Sequence, residues 1–191
     1  MTLLKIAHVG NPLLRQRARE VTREELRSIE MQRFIDDLVE TMRDANGAGL
    51  AAIQVHNPIR ICAIEVADNP RYPYKPNVPL TILVNPVLTP LSEERFDNFE
   101  GCLSVPDMRG VAPRFAELRV QAWDRNGDTI DREVRGITAG TFQHEVDHLD
   151  GKLFLDRVVD TTTLCTWKEF ARHHEPKFRE HVLALVKRWG S

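Results

Sequence analysis

Between Arg23 and Ala45 the apolar residues Leu26, Ile29, Phe34, Ile35, Leu38 and Met42 form one stripe at helical spacing. Thr22 suits the N-cap, Glu25 completes a capping box, and Asn46-Gly47 supplies a stop. The pattern predicts one long helix over 23–45. Shorter apolar runs follow. Ile59 to Val66 (IRICAIEV) alternates only partly, and Thr81 to Pro86 (TILVNP) ends at a proline. LRVQAW and TIDREV flank DRNGD, whose Asn126-Gly127 pair is a strong hairpin signal. After Asp160, TLCTWKEFARHH and PKFREHVLALVKRW read as helices broken by Pro176. Strands come first and helices flank them without regular alternation, which points to α+β.

Two stretches do not follow an amphipathic pattern. From about Ala67 to Pro79, Pro70, Pro73, Pro76 and Pro79 recur at a spacing of three. A rigid, polyproline-like surface loop is the leading reading, ahead of a protein-binding segment. From about Thr138 to Gly151, ITAGTFQHEVDHL reads as a helix stopped by the glycine. It is polar around most of its circumference, with Phe142, Val146 and Leu149 as its main apolar residues. Such a helix buries little unless something polar is inside with it.

Composition narrows the class. The 191 residues fit a single domain over 1–191, and 42% hydrophobic content is enough for a real core. A net charge of -2 and a pI near 6.4 give no overall pull toward DNA or an anionic membrane. No run approaches the ~18 apolar residues of a membrane span. The start shows neither a signal nor a transit peptide, so a cytoplasmic protein is expected. Cys62, Cys102 and Cys165 are an odd number at irregular spacing, which suits reduced thiols better than a disulfide framework.

The polar helix contains His144-Glu145-x-x-His148. Residues i and i+4 share a helix face, so both imidazoles can reach one ion, while Glu145 can touch a water there without being a ligand. A third ligand is needed. The continuation used by one protease class fails, because Phe154 stands where its last histidine belongs. Glu169 qualifies by distance and would make a zincin-like peptidase. Cys102 in EGCLSVP is the better option: a thiolate suits zinc or ferrous iron, and Cys with two His leaves a position for water. Gly101 beside it leaves room for a backbone to approach. Upstream, GAGLAAIQ ends in Gln54, an amide able to donate to a developing oxyanion, and Gly49 can let a peptide run alongside.

Together and in order, GAGLAAIQ (47–54), EGCLS (100–104) and QHEVDH (143–148) resemble the peptide deformylase family, as do KIAHVGNPLLRQRA and HLDGKLFLDRV; the likeness covers about residues 4–158. The stretch 67–79 looks longer than in compact bacterial members, and the helical tail from about 160 to 191 carries no transferable motif. The resemblance implies antiparallel sheets around a central metal-binding His-Glu-x-x-His helix, with a long N-terminal and a C-terminal helix. It implies hydrolysis of the N-formyl group from the formylmethionine of newly synthesised polypeptides, releasing formate. Cys102, His144 and His148 would hold one divalent ion, ferrous iron first, with zinc, nickel or cobalt as substitutes. Glu145 would move the proton, and Gln54 and the Leu103 N–H would stabilise the oxyanion. Gly49 and Gly101 would pair with the peptide backbone, and Ala48, Arg109, Ile137 and Thr141, with Gly140 and His144, would surround the methionine side chain. Lys177, Arg179, Lys187 and Arg188 give the tail a basic face. A solvated helix face is favoured there over ribosome contact.

Overall fold

Ser28 divides the helix that the apolar stripe predicts as one. In the computed structural model, which describes residues 2–67, 69 and 71–191, α1 (Arg23–Arg27) and α2 (Ile29–Asp44) meet at this serine. Its hydroxyl donates to the Glu25 carbonyl and accepts from the Met31 N–H. The side chain thus ends one helix and caps the next, a local bond that competes with the continuous ladder. The capping box of Thr22 and Glu25 forms as expected.

Behind α2 lies a five-stranded antiparallel sheet in the order β1 (Gly49–Ala51), β2 (Ile61–Val66), β3 (Val78–Pro90), β6 (Glu117–Trp123), β7 (Thr129–Arg135). β2 alternates only partly because both of its faces are covered. Ile61 and Ala63 pack in the cluster under α2, and Cys62 and Ile64 pack in the cluster on the other side. β3 runs through Pro86 instead of ending there. A register shift between Val84 and Val87 takes up the residue that cannot donate. The Asn126-Gly127 hairpin joins β6 and β7. A second sheet is ordered β4 (Arg95–Cys102), β5 (Val105–Phe115), β8 (Cys165–Thr166), also antiparallel.

α3 (Gly136–Leu149) packs against strands of both sheets and against α5 (Glu175–Trp189). Gly151, just beyond it, has a φ of 73°, and a Cβ there would come within 2.7 Å of the Arg15 carbonyl, so no other residue fits without strain. α4 (Trp167–His173) precedes α5, and the break falls at His174. Pro176 lies in the first turn of α5, where a missing N–H costs nothing, so it opens the helix rather than interrupting one. Phe178, Val182 and Leu185 seat α5 on the core. Among the described residues no helix is long and apolar enough to cross a membrane.

The proline-spaced segment is not a surface excursion. Asp68 and Pro70 lie outside the described residues. The rest folds as two turns, with the Tyr72 N–H on the Asn69 carbonyl and the Lys75 N–H on the Tyr72 carbonyl, both at 3.0 Å. Tyr72 and Tyr74 turn inward and are buried, and Asn69 donates to the carbonyls of Asn46 and Gly47. The aromatic rings decide the course of this strap, because each removes far more apolar area from water than the prolines do.

Candidate active site

Four-residue spacing on α3 brings the His144 and His148 Nε2 atoms to 3.3 Å. The Cys102 Sγ, at the end of β4, lies 3.2 Å from His148 Nε2. The ligand atoms of these three buried residues all lie within 4.8 Å of one another. Glu169 is elsewhere, on α4, with its carboxylate 3.1 Å from His173 Nε2. A register shift between Gly101 and Cys102 turns the thiol toward the helix.

Two of the three ligands, Cys102 and His144, are held from behind. The Ser104 N–H donates to Cys102 Sγ at 3.4 Å. Gln54 Nε2 donates to Ser104 Oγ at 3.0 Å and lies 3.6 Å from Sγ, while its Oε1 accepts the Ala51 N–H. His144 Nδ1 meets Glu100 Oε2 at 2.7 Å. A carboxylate there keeps the proton on Nδ1 and leaves the Nε2 lone pair free for a cation. Glu100 accepts two bonds from Arg114, whose remaining nitrogen reaches Asp147 at 2.6 Å; Arg157 grips the same Asp147. Burial works against the Glu100 carboxylate, but Arg114 and His144 outweigh it and hold its pKa well below the usual range. Burial likewise opposes the Cys102 thiolate, yet His148 and His144 beside it hold the thiol well below its ordinary value.

Two polar atoms in this buried centre have no partner among the described residues, Glu145 Oε2 and His148 Nδ1. Burial pushes the Glu145 carboxyl up, against the pull of the two histidines. A thiolate and two imidazole nitrogens, converging beside an unsatisfied carboxylate, suit a tetrahedral divalent cation with one position left for water.

A narrow pocket opens beside Glu145. Ala48, Gly49, Gly101 and Thr141 line it, as do Leu103 and His144. Ile137 and Arg109 do not line it. Ile137 is in the hydrophobic core, and the Arg109 guanidinium lies 3.8 Å over the Phe170 ring and 4.3 Å over the Trp167 ring, donating to the Phe99 carbonyl and the Tyr74 hydroxyl. The reason is the strap. Tyr72 and Lys75 close the pocket over Thr141, one turn short of Ile137. Arg71, Tyr72 and Lys75 were hidden from sequence reasoning because the proline spacing placed them on the surface. The support of His144 by Glu100 and Arg114 was hidden too, although a buried Asp147 on a polar helix signals a cation behind it.

Ligands converging in this way from a His-Glu-x-x-His helix and a neighbouring strand are the mark of metal-dependent hydrolases. Known proteins agree and sharpen the class. The family model for polypeptide deformylase matches residues 3–163. Peptide deformylase 1 of Nitrosomonas europaea is 44% identical over 155 residues, 81% of this chain and 87% of that one. Peptide deformylase 2 of a Nostoc species is 41% identical over 168 residues, 88% of this chain and 93% of that one. A Met-Ala-Ser-bound crystal structure of a class I type b peptide deformylase from Acinetobacter baumannii superimposes with a TM-score of 0.79 at 36% identity, covering 82% of this chain and 99% of that one. The chain belongs to the polypeptide deformylase family. It is an enzyme whose reaction is removal of the N-formyl group from N-formylmethionine peptides.

Proposed function

We propose that Cys102, His144 and His148 hold one divalent ion, and that around it Glu145, Gln54 and Leu103 carry out hydrolysis of N-formylmethionyl peptides or nascent chains. The observation that carries this reading is the convergence of the three ligand atoms within 4.8 Å. Ferrous iron is the ion proposed as resident, with zinc, nickel or cobalt as substitutes. The bound ion would supply Lewis-acid polarisation and a water of lowered pKa.

The remaining chemistry falls to side chains and backbone. Water adds to the formyl carbon, the carbon–nitrogen bond breaks, and formate and a free amine leave. Glu145 takes the water's proton and delivers it to the departing nitrogen, a task suited to a carboxyl whose pKa burial has raised. The Gln54 Nε2 and the Leu103 N–H donate to the oxygen that gains charge; one such donor is typically worth roughly 10²–10³ in rate. Gly49 and Gly101 leave space for the substrate backbone to lie alongside β1 and β4. The methionine side chain enters the pocket beside Ala48 and Thr141. On α5, Arg179 and Arg188 pair with Glu175 and Glu94, which supports a solvated face rather than a ribosome contact.

A zincin-like peptidase would recruit Glu169 as third ligand, and its place on α4, outside the cluster of Cys102, His144 and His148, speaks against that. Cys102→Ala tests the choice. Metal per chain and formate release from a formyl-Met peptide both collapse if Cys102 is a ligand. Retention of the full metal content would return the third ligand to Glu169.

A further inference from the structure

The Lys75 side chain occupies the pocket to which the proposed function assigns the substrate's first side chain. Its Nζ donates to Thr141 Oγ1 at 3.0 Å and lies 4.7 Å from the Tyr72 ring centroid. Glu100 on β4, Glu145 on α3, Arg109 on β5 and Arg71 on the strap are the charged groups around it. Burial of the ammonium pushes its pKa down to about 8, with the two glutamates opposing.

The space left is about 40 Å³. Small-molecule sites usually offer ~300–1,000 Å³, and ~10–15 Å³ admits one water. A formyl group and a methionine side chain cannot both enter unless a wall yields. Gly140, Thr141 and His144 are fixed on α3. Tyr72 is braced edge-on by Tyr74 and packed on Trp167, at ring separations of 6.4 and 5.8 Å. Arg71 is stacked over the Tyr72 and Trp167 rings, 5.6 and 4.7 Å from their centroids, which leaves Lys75 as the long side chain of the lining that can swing away. Its ammonium gives up most of its hydration for a hydroxyl and a ring face, and swinging outward restores it.

We propose that Lys75 is a specificity-determining residue of the deformylation reaction: its ammonium fills the first-residue pocket, and a long unbranched side chain such as methionine's binds by displacing it. This rests on the pocket reading made under the proposed function. A short first side chain leaves Lys75 in place and meets a filled floor, so Lys75 narrows the preference for methionine over alanine.

The test compares formyl-Met-Ala-Ser with formyl-Ala-Ala-Ser on the metal-loaded enzyme, together with calorimetric binding of the product peptides Met-Ala-Ser and Ala-Ala-Ser. In Lys75→Ala the KM for the methionine substrate and the Kd for Met-Ala-Ser fall about tenfold, the scale of one charge-assisted hydrogen bond. The alanine values stay unchanged, so the preference ratio rises about tenfold. Thr141→Val, which removes the hydroxyl acceptor but keeps the shape, shifts the ratio the same way by less and serves if Lys75→Ala folds poorly. An unchanged ratio in both variants overturns the proposal, as does a fall, which would mean that the ammonium stays and holds the substrate. Failure of the underlying pocket reading looks different: Thr141→Phe, which fills the pocket beside Ala48, would then leave the KM for formyl-Met-Ala-Ser unchanged, whereas that KM rises if the methionine side chain enters there.

Discussion

The two faces of α3 carry similar residues and treat them in opposite ways. On the rear face every polar side chain is matched. Asp147 accepts from Arg114 and Arg157, Asp150 from Arg60, and Gln143 bonds both the N–H and the carbonyl of Phe115. On the front face Glu145 Oε2 and His148 Nδ1 are buried without a partner among the described residues. An unmatched buried polar atom costs about 1–3 kcal/mol. The rear face holds the helix in place, and the front face leaves the Glu145 carboxylate and the two histidine Nε2 atoms free for ion and substrate. A single helix can do both because residues 143, 146, 147 and 150 turn away from 144, 145 and 148. Arg114 joins the faces. It grips Asp147 behind and Glu100 in front, and Glu100 orients His144.

Removing that joint is the strongest way to break the contrast. Arg114→Met leaves two buried carboxylates without their shared cation and costs about 3 kcal/mol of stability at neutral pH. The pH dependence has a definite sign. Glu100 and Asp147 are held below their ordinary values of 4.5 and 3.8, although burial opposes this, because Arg114 and His144 outweigh it at Glu100, and Arg157 and Arg114 outweigh it at Asp147. Groups depressed on folding add stability above those values and lose it as pH falls through the folded pKa. In the wild type this loss comes in strongly acid solution. In Arg114→Met the carboxylates protonate earlier, so acid unfolding begins at higher pH. Urea unfolding across about pH 3–7 measures both effects. Equal stability of the two proteins at pH 7 would show that the buried pairs do not hold the helix.

The front face was largely legible in the sequence and the rear face was not. Spacing alone puts His144 and His148 together, since helix geometry is local. Cys102 sits 46 residues before His148, and only its chemistry and the order of the three motifs tied it to the site. Arg114 carried no such sign, because it stands opposite Phe96 on β4, four residues from Glu100, and reaches that carboxylate only through its long side chain, which no local pattern encodes. The strand content was readable, yet Ser28 and the strap were misread for related reasons. A serine inside an apolar stripe can cap as well as continue a helix. Prolines at regular spacing suggested exposure, while the tyrosines between them set the direction.

A milder disturbance of the front face sharpens the comparison. Gly49 faces Glu145 so closely that a Cβ built there would lie 2.6 Å from Glu145 Cγ. Gly49→Ala therefore displaces the carboxyl without touching a metal ligand. Turnover falls roughly 10–100-fold, the usual result of misplacing a reacting group by about 1 Å. Metal per chain stays at the wild-type level. Loss of metal along with activity would show that the two functions of the front face are not separable at this glycine.

The smallest effect belongs to the outer end of the rear network. Arg157 binds Asp147 with two nitrogens, but its side chain is 40% exposed. Water and salt screen the pair, and Asp147 keeps its bond to buried Arg114 when Arg157 is removed. Arg157→Ala then costs about 0.5 kcal/mol, and less in high salt. Formate release should not change, because Arg114 still orients Glu100 and through it His144. Unfolding in urea at low and high salt checks the first point and a formate assay the second. A loss as large as that of Arg114→Met would mean that the four charges act as one unit, with the surface arginine controlling the orientation of His144 at the centre.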